Sequence, residues 1–124
     1  QPRFLIPLKA RLAGIRFRAG DEKPARAQVQ DTLDIFVANQ EKIVNIDKAQ
    51  LLRSIAEAYQ TMGDTAAALD IYKRAIEAGM ENPNSRPRAE DLTATCCSMA
   101  LHIVEPDMEL FNRIREIRDG LSDP

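Results

Sequence analysis

One histidine, His102, and two adjacent cysteines, Cys96 and Cys97, are the residues of this chain best suited to nucleophilic or metal chemistry. A structural zinc site needs ligands in paired spacing, and a lone imidazole near two consecutive thiols does not supply it. Consecutive cysteines on a helix point to different sides, so a disulfide between them would be strained. Both read as small, buried or half-buried apolar residues, and their usage leans toward a reducing, cytoplasmic compartment. Carboxylates are plentiful, but Glu57, Asp70 and Glu77 stand at ordinary exposed helical spacings. No P-loop, no glycine-rich dinucleotide fingerprint and no second histidine accompanies them. No catalysis, metal or cofactor is expected, and binding is the chemistry left.

Four polar residues, Gln50, Arg53, Glu57 and Gln60, recur at i, i+3, i+7 and i+10 opposite the apolar Leu51, Ile55 and Met62. Such a stripe is either a solvated helix face, with Arg53 and Glu57 paired at i, i+4, or a groove for a peptide or partner helix. Farther on, Thr93, Cys96, Ala100 and Ile103 form a small, largely apolar face. It calls for a cover: a further helix, a neighbouring protomer or an apolar ligand side chain. Residues 1–26 hold seven Lys/Arg against two Asp/Glu, a net +5, and residues 27–124 hold ten against seventeen, a net −7. The basic set is Arg3, Lys9, Arg11, Arg16, Arg18, Lys23 and Arg26. Nucleic acid is disfavoured, because the chain is acidic as a whole and only Phe4 and Phe17 are interleaved aromatics. A solvated face, or packing against an acidic segment, fits the basic stretch better.

These residues must be positioned by helices. With 124 residues, 44% hydrophobic and 29% charged, the chain reads as one globular domain over 1–124. No apolar run approaches the roughly 18 residues of a membrane span. The chain begins at Gln1 without a signal-peptide pattern, so it reads as a processed or excised part of a longer product. Leu5, Leu8, Leu12, Ile15 and Ala19 trace a first helical face, ended by Gly20. Asp21 caps a second helix, with Pro24 in its first turn and Ala25, Val29, Leu33 and Phe36 inward. Asp47 starts a third, with Leu51, Leu52, Ile55, Ala58, Tyr59 and Met62 inward, and Gly63 ends it. Asp64 or Thr65 caps a fourth, lined by Ala67, Ala68, Ile71, Tyr72, Ala75 and Ile76, with Gly79 as its C′ residue. The stretch 80–87 is a turn-rich connection. A fifth helix is expected from about Arg88 to Val104. A sixth is expected from Pro106 or Asp107 to Gly120, with Leu110, Phe111, Ile114 and Ile117 inward.

The hinges Gly20-Asp21, Gly63-Asp64 and Pro106-Asp107 recur at intervals of 43 residues, a period typical of stacked supersecondary units. Within the central pair, Leu52-x-x-Ile55-Ala56-x-x-Tyr59 followed by Ala68-x-x-x-Tyr72 resembles the tetratricopeptide pattern, and Ala75 and the Gly63-Asp64 turn also match. The match covers residues 49–83 well. The first pair keeps Leu12-Ala13, Gly20-Asp21 and Ala25, while the third keeps Asp107 and the rhythm alone. A 43-residue period also falls in the range of HEAT and armadillo repeats, but the small-residue sites and the Gly-Asp turn favour the tetratricopeptide resemblance.

The resemblance implies an all-α, right-handed solenoid of three antiparallel helical hairpins, at about 3–42, 46–80 and 88–121. It further implies a non-catalytic protein- or peptide-binding scaffold, with the first helix of each hairpin lining a concave groove. Gln50, Arg53, Glu57, Gln60, Thr93, Cys96 and Ala100 are then the candidate partner-binding residues. Ala10, Gly14, Arg53 and Glu57 stand where some tetratricopeptide domains grip a C-terminal carboxylate with Lys and Asn, so that clamp is absent. The alternative is a structural or self-associating segment of a larger helical-repeat protein. A weak homodimer is expected, with symmetric pairing the commoner solution.

Overall fold

The computed structural model describes residues 1–121. Among them the fold is all-helical: α1 (Pro2–Arg18), α2 (Glu22–Asn39), a 3-10 turn (Gln40–Lys42), α3 (Asn45–Thr61), α4 (Thr65–Gly79), α5 (Ser85–Leu101) and α6 (Met108–Gly120). No helix among the described residues is long and apolar enough to cross a membrane.

Helix ends follow local chemistry. Gly20 and Gly63 take positive φ, +94° and +75°, a conformation that costs other residues a clash at Cβ. Each closes the same two-bond C-terminal motif. Asp21 N donates to the Arg16 carbonyl at 2.9 Å and Gly20 N to Phe17 at 3.0 Å; Asp64 N donates to Tyr59 at 3.0 Å and Gly63 N to Gln60 at 2.9 Å. Asp64 and Asp107 cap the following helices by accepting from Ala67 N and Leu110 N. Asp21 occupies the cap position of α2 without a side-chain bond.

The expected sixth-helix hinge at Pro106 is displaced. The turn lies at Ile103, which has φ +57° and repeats the same motif, with Val104 N donating to Met99 at 2.9 Å and Ile103 N to Ala100 at 3.3 Å. A β-branched residue in the left-handed region leaves no turn signature in the sequence. Two starts also move: α3 begins at Asn45, with Asp47 inside its first turn, and α5 begins at Ser85 rather than Arg88. Pro87 is accommodated in that first turn, where a missing N–H breaks no bond. Gly79 is the buried last residue of α4 rather than a residue beyond it; a Cβ there would stand 3.0 Å from Asp91 Cβ, so glycine admits α5.

The core lies around α3, which packs on α4, α1, α5 and α2, while α1 packs on α2 and α4 on α5. α3 buries Leu51, Leu52, Ile55, Ala56, Tyr59 and Met62, and α4 buries Ala68, Ile71, Tyr72, Ala75 and Ile76. In α1 the expected face is the wrong one. Ile6, Ala10, Ala13 and Gly14 are buried, whereas Leu5, Leu8, Leu12, Ile15 and Ala19 are exposed. Small residues win because they let helix axes approach; a Cβ on Gly14 would touch Thr61 Cγ2 at 3.7 Å. Phe111, expected inward on α6, is also exposed, and Leu110 and Ile117 are the buried pair.

Candidate partner-binding groove

The polar stripe of α3 is spent largely inside the molecule. Arg53 Nη1 donates to Thr95 Oγ1 at 3.1 Å and lies 3.5 Å from Asp91 Oδ1, both on α5. Asn82 Nδ2 donates to the other Asp91 oxygen at 2.8 Å and to the Gly79 carbonyl at 3.0 Å. Glu57 Oε2 accepts from Ser98 Oγ at 2.7 Å. Because a carboxylate only accepts, the Ser98 proton is committed to it, and Tyr72 O–H donates to Ser98 Oγ at 2.7 Å. Burial raises the Tyr72 phenol above its ordinary value. His102 Nδ1 stands 2.9 Å from the Ser98 carbonyl, an acceptor, so this nitrogen carries a proton. Arg53 therefore anchors α3 to α5, while Glu57 holds Ser98 and also lines the neighbouring cavity. Gln50 is exposed, and Gln60 Oε1 is buried without a partner. Distant partners such as Asp91 and Thr95 leave no trace in the local spacing around Arg53.

Beside this network is an open cavity of about 570 Å³ between α1, α3 and the end of α5. α3 supplies Ser54, Glu57 and Thr61, and His102 closes one side. α1 supplies Arg11, Ile15 and Arg18. The other cations of α1 have neighbours: Arg3 lies near Asp47, Lys9 pairs with Asp31 and Arg16 bonds Gln28. Among the described residues, Arg11 and Arg18 have none. They lie two turns apart on one helix face, about 10 Å along the axis, and their i, i+7 spacing was a signal available in the sequence.

The second candidate face is open. Thr93 and Ala100 are exposed and Cys96 is half-buried. Cys96, Ala100 and Ile103 line an apolar cleft of about 330 Å³ with Met99, Val104 and Ile114, the last on α6; Thr93 lies outside it. Burial, with the neighbouring Cys97 second, raises the Cys96 thiol above its ordinary value. Cys97, expected buried or half-buried, is exposed, since adjacent residues on a helix face different ways. Among the described residues no three His, Cys, Asp or Glu side chains converge as metal ligands. No family model matches this chain, and comparison with curated proteins and with solved structures likewise gives no match.

Proposed function

We propose that the chain is a tetratricopeptide-type right-handed α-solenoid whose concave groove binds an acidic segment of another protein. The order of helix neighbours supports the stack: α1 meets α2 and α3, and α3 meets α4 and α5. Ala56 and Ala68, the small sites of the repeat pattern, are fully buried, and the turns at Gly20, Gly63 and Ile103 share one hydrogen-bond motif. On this reading α1, α3 and α5 line the groove.

The observation that carries the ligand chemistry is the pair of unpartnered guanidiniums, Arg11 and Arg18, flanking Ile15 at one wall of the α1–α3 cavity. Planar guanidinium donors suit carboxylates, and Ile15 supplies an apolar rest between them. A labelled Glu- and Leu-containing peptide and its Lys-containing counterpart, titrated by fluorescence anisotropy, provide the test. The acidic peptide binds preferentially, and the Arg11→Glu/Arg18→Glu variant weakens it by about tenfold or more with an unchanged thermal melt. No preference for the acidic peptide, or equal binding by the variant, refutes the groove. The second reading, a self-associating repeat segment, is favoured by the exposed leucines of α1.

A further inference from the structure

Phe4, Leu8 and Leu12 run along one face of α1, and all three are exposed. The repeat register explains what kind of surface this is. Shifting the first helix pair by the 43 residues that separate Gly20 from Gly63 places Ala13 on Ala56, Ala25 on Ala68 and Thr32 on Ala75, all fully buried. The same shift places Leu8 on Leu51 and Leu12 on Ile55. Leu51 and Ile55 are 2% and 0% exposed, whereas Leu8 and Leu12 are 65% and 40% exposed. Among the described residues α3 has the pair α1 and α2 against it, and the corresponding face of α1, with Leu8 and Leu12, is uncovered. The stripe therefore has the register of the receiving half of a helix-pair contact.

The opposite end carries the other half. By the packing order, the next first helix would enter between α5 and α6, where the apolar cleft of Cys96, Met99, Ala100, Ile103, Val104 and Ile114 stands open. α6 does not pack on α5 as α2 does on α1, and side chains hold it to α4: Arg113 grips both Glu77 oxygens at 2.8 and 2.9 Å, and Lys73 bonds Asp107 at 2.7 Å. Exposed Leu101, Met108 and Phe111 extend the apolar surface at this end.

We infer that α1 of one copy docks into the α5–α6 cleft of a second copy, head to tail, so that copies continue the helical stack. Charge selects this pairing over a symmetric one. Arg11 and Arg18, the cations of α1 without a side-chain partner among the described residues, would repel their own copies across a two-fold axis, and α1 carries no carboxylate to offset them. The cleft instead offers Glu105 in its lining, with Glu109, 3.5 Å from Lys73, nearby. A head-to-tail contact does not close on itself at two copies. The inference rests on the repeat reading but not on the groove, because Leu8, Leu12 and Ala100 do not line the α1–α3 cavity.

Sedimentation velocity on the full chain and two variants tests it. Leu8→Arg/Leu12→Arg spoils the stripe and Ala100→Arg spoils the cleft; all three positions are exposed, and thermal melts verify folding. The wild type is expected to grow in mass with concentration without stopping at a dimer. Each variant alone stays monomeric, and their equimolar mixture stops at about twice the monomer mass, since one good stripe meets one good cleft. A wild type that is monomeric throughout overturns the inference. So does a variant that still self-associates alone, or a mixture that stays monomeric.

Discussion

Replacing Ile103 with glycine is expected to stabilise the fold, although it removes a large apolar side chain. A left-handed residue with a Cβ costs about 1–2 kcal/mol, and β-branching puts Ile103, at φ +57°, near the top of that range. Two losses oppose the gain. Ile103 is 81% exposed, so deleting its side chain forfeits only about 0.3–0.5 kcal/mol of burial. Glycine also gains chain entropy in the unfolded state, a loss of roughly 0.5–1 kcal/mol. The net is a stabilisation of about 0.5–1 kcal/mol, or a rise of about 2–5 °C in Tm. Urea unfolding should show a higher midpoint with an unchanged slope. Ile103→Ala keeps the Cβ clash and should stay within about 0.5 kcal/mol of wild type. If glycine lowers the midpoint while alanine does not, the turn at 103 is not left-handed and the strain argument fails.

Two further outcomes are expected. Arg53→Glu should destabilise by roughly 1.5–3 kcal/mol in urea unfolding, because it replaces the donor to Thr95 with a negative charge beside Asp91; an unchanged midpoint would mean that Arg53 is free to serve a ligand. Acid below the ordinary carboxylate range should loosen α6 before the core. Hydrogen bonds from Arg113 hold Glu77 below the ordinary carboxylate range, and hydrogen bonds from Lys73, then from Leu110 N, do the same for Asp107. Folded values below unfolded ones give stability that is present above the ordinary carboxylate range and lost as pH falls through the folded values. Protection factors in 108–120, corrected for the intrinsic exchange rate at each pH, should therefore fall on acidification while those in α3 hold; equal protection at both pH values contradicts this.

The all-helical architecture was legible because α3 and α4 each carry large apolar residues on one face and end at residues with a turn signature. α1 was legible as a helix but not in its orientation. It has two apolar faces, one of small residues and one of leucines, and periodicity ranks leucines first although close packing chose Ala10, Ala13 and Gly14. The polar stripe of α3 was only partly legible for a related reason. Whether Arg53 and Glu57 face water depends on Asp91, Thr95 and Ser98, some forty residues away, and no local spacing reports that. Arg11 and Arg18 were visible as charges, but their lack of partners emerges only once Asp47, Asp31 and Gln28 are seen to occupy their neighbours Arg3, Lys9 and Arg16.

The misread face of α1 also links the two proposed activities. Leu8 and Leu12 lie on one side of this helix, while Arg11 and Arg18 lie toward the cavity. Docking the leucines into a second copy's α5–α6 cleft leaves the guanidiniums at the groove wall, adjacent to that copy's own first-helix row. Each added copy would lengthen one basic-edged groove rather than create a separate one. A ligand with acidic residues spread along its length would then gain affinity from a stack that no single copy provides, through effective concentration rather than new contacts. By linkage such a ligand also promotes stacking. Ile103 sits at this junction: strained and exposed in the single chain, it lines the cleft that α1 enters. Ile103→Gly should therefore raise the Tm and weaken self-association together. A glycine variant that is both more stable and equally prone to stack would place the strain outside the docking surface.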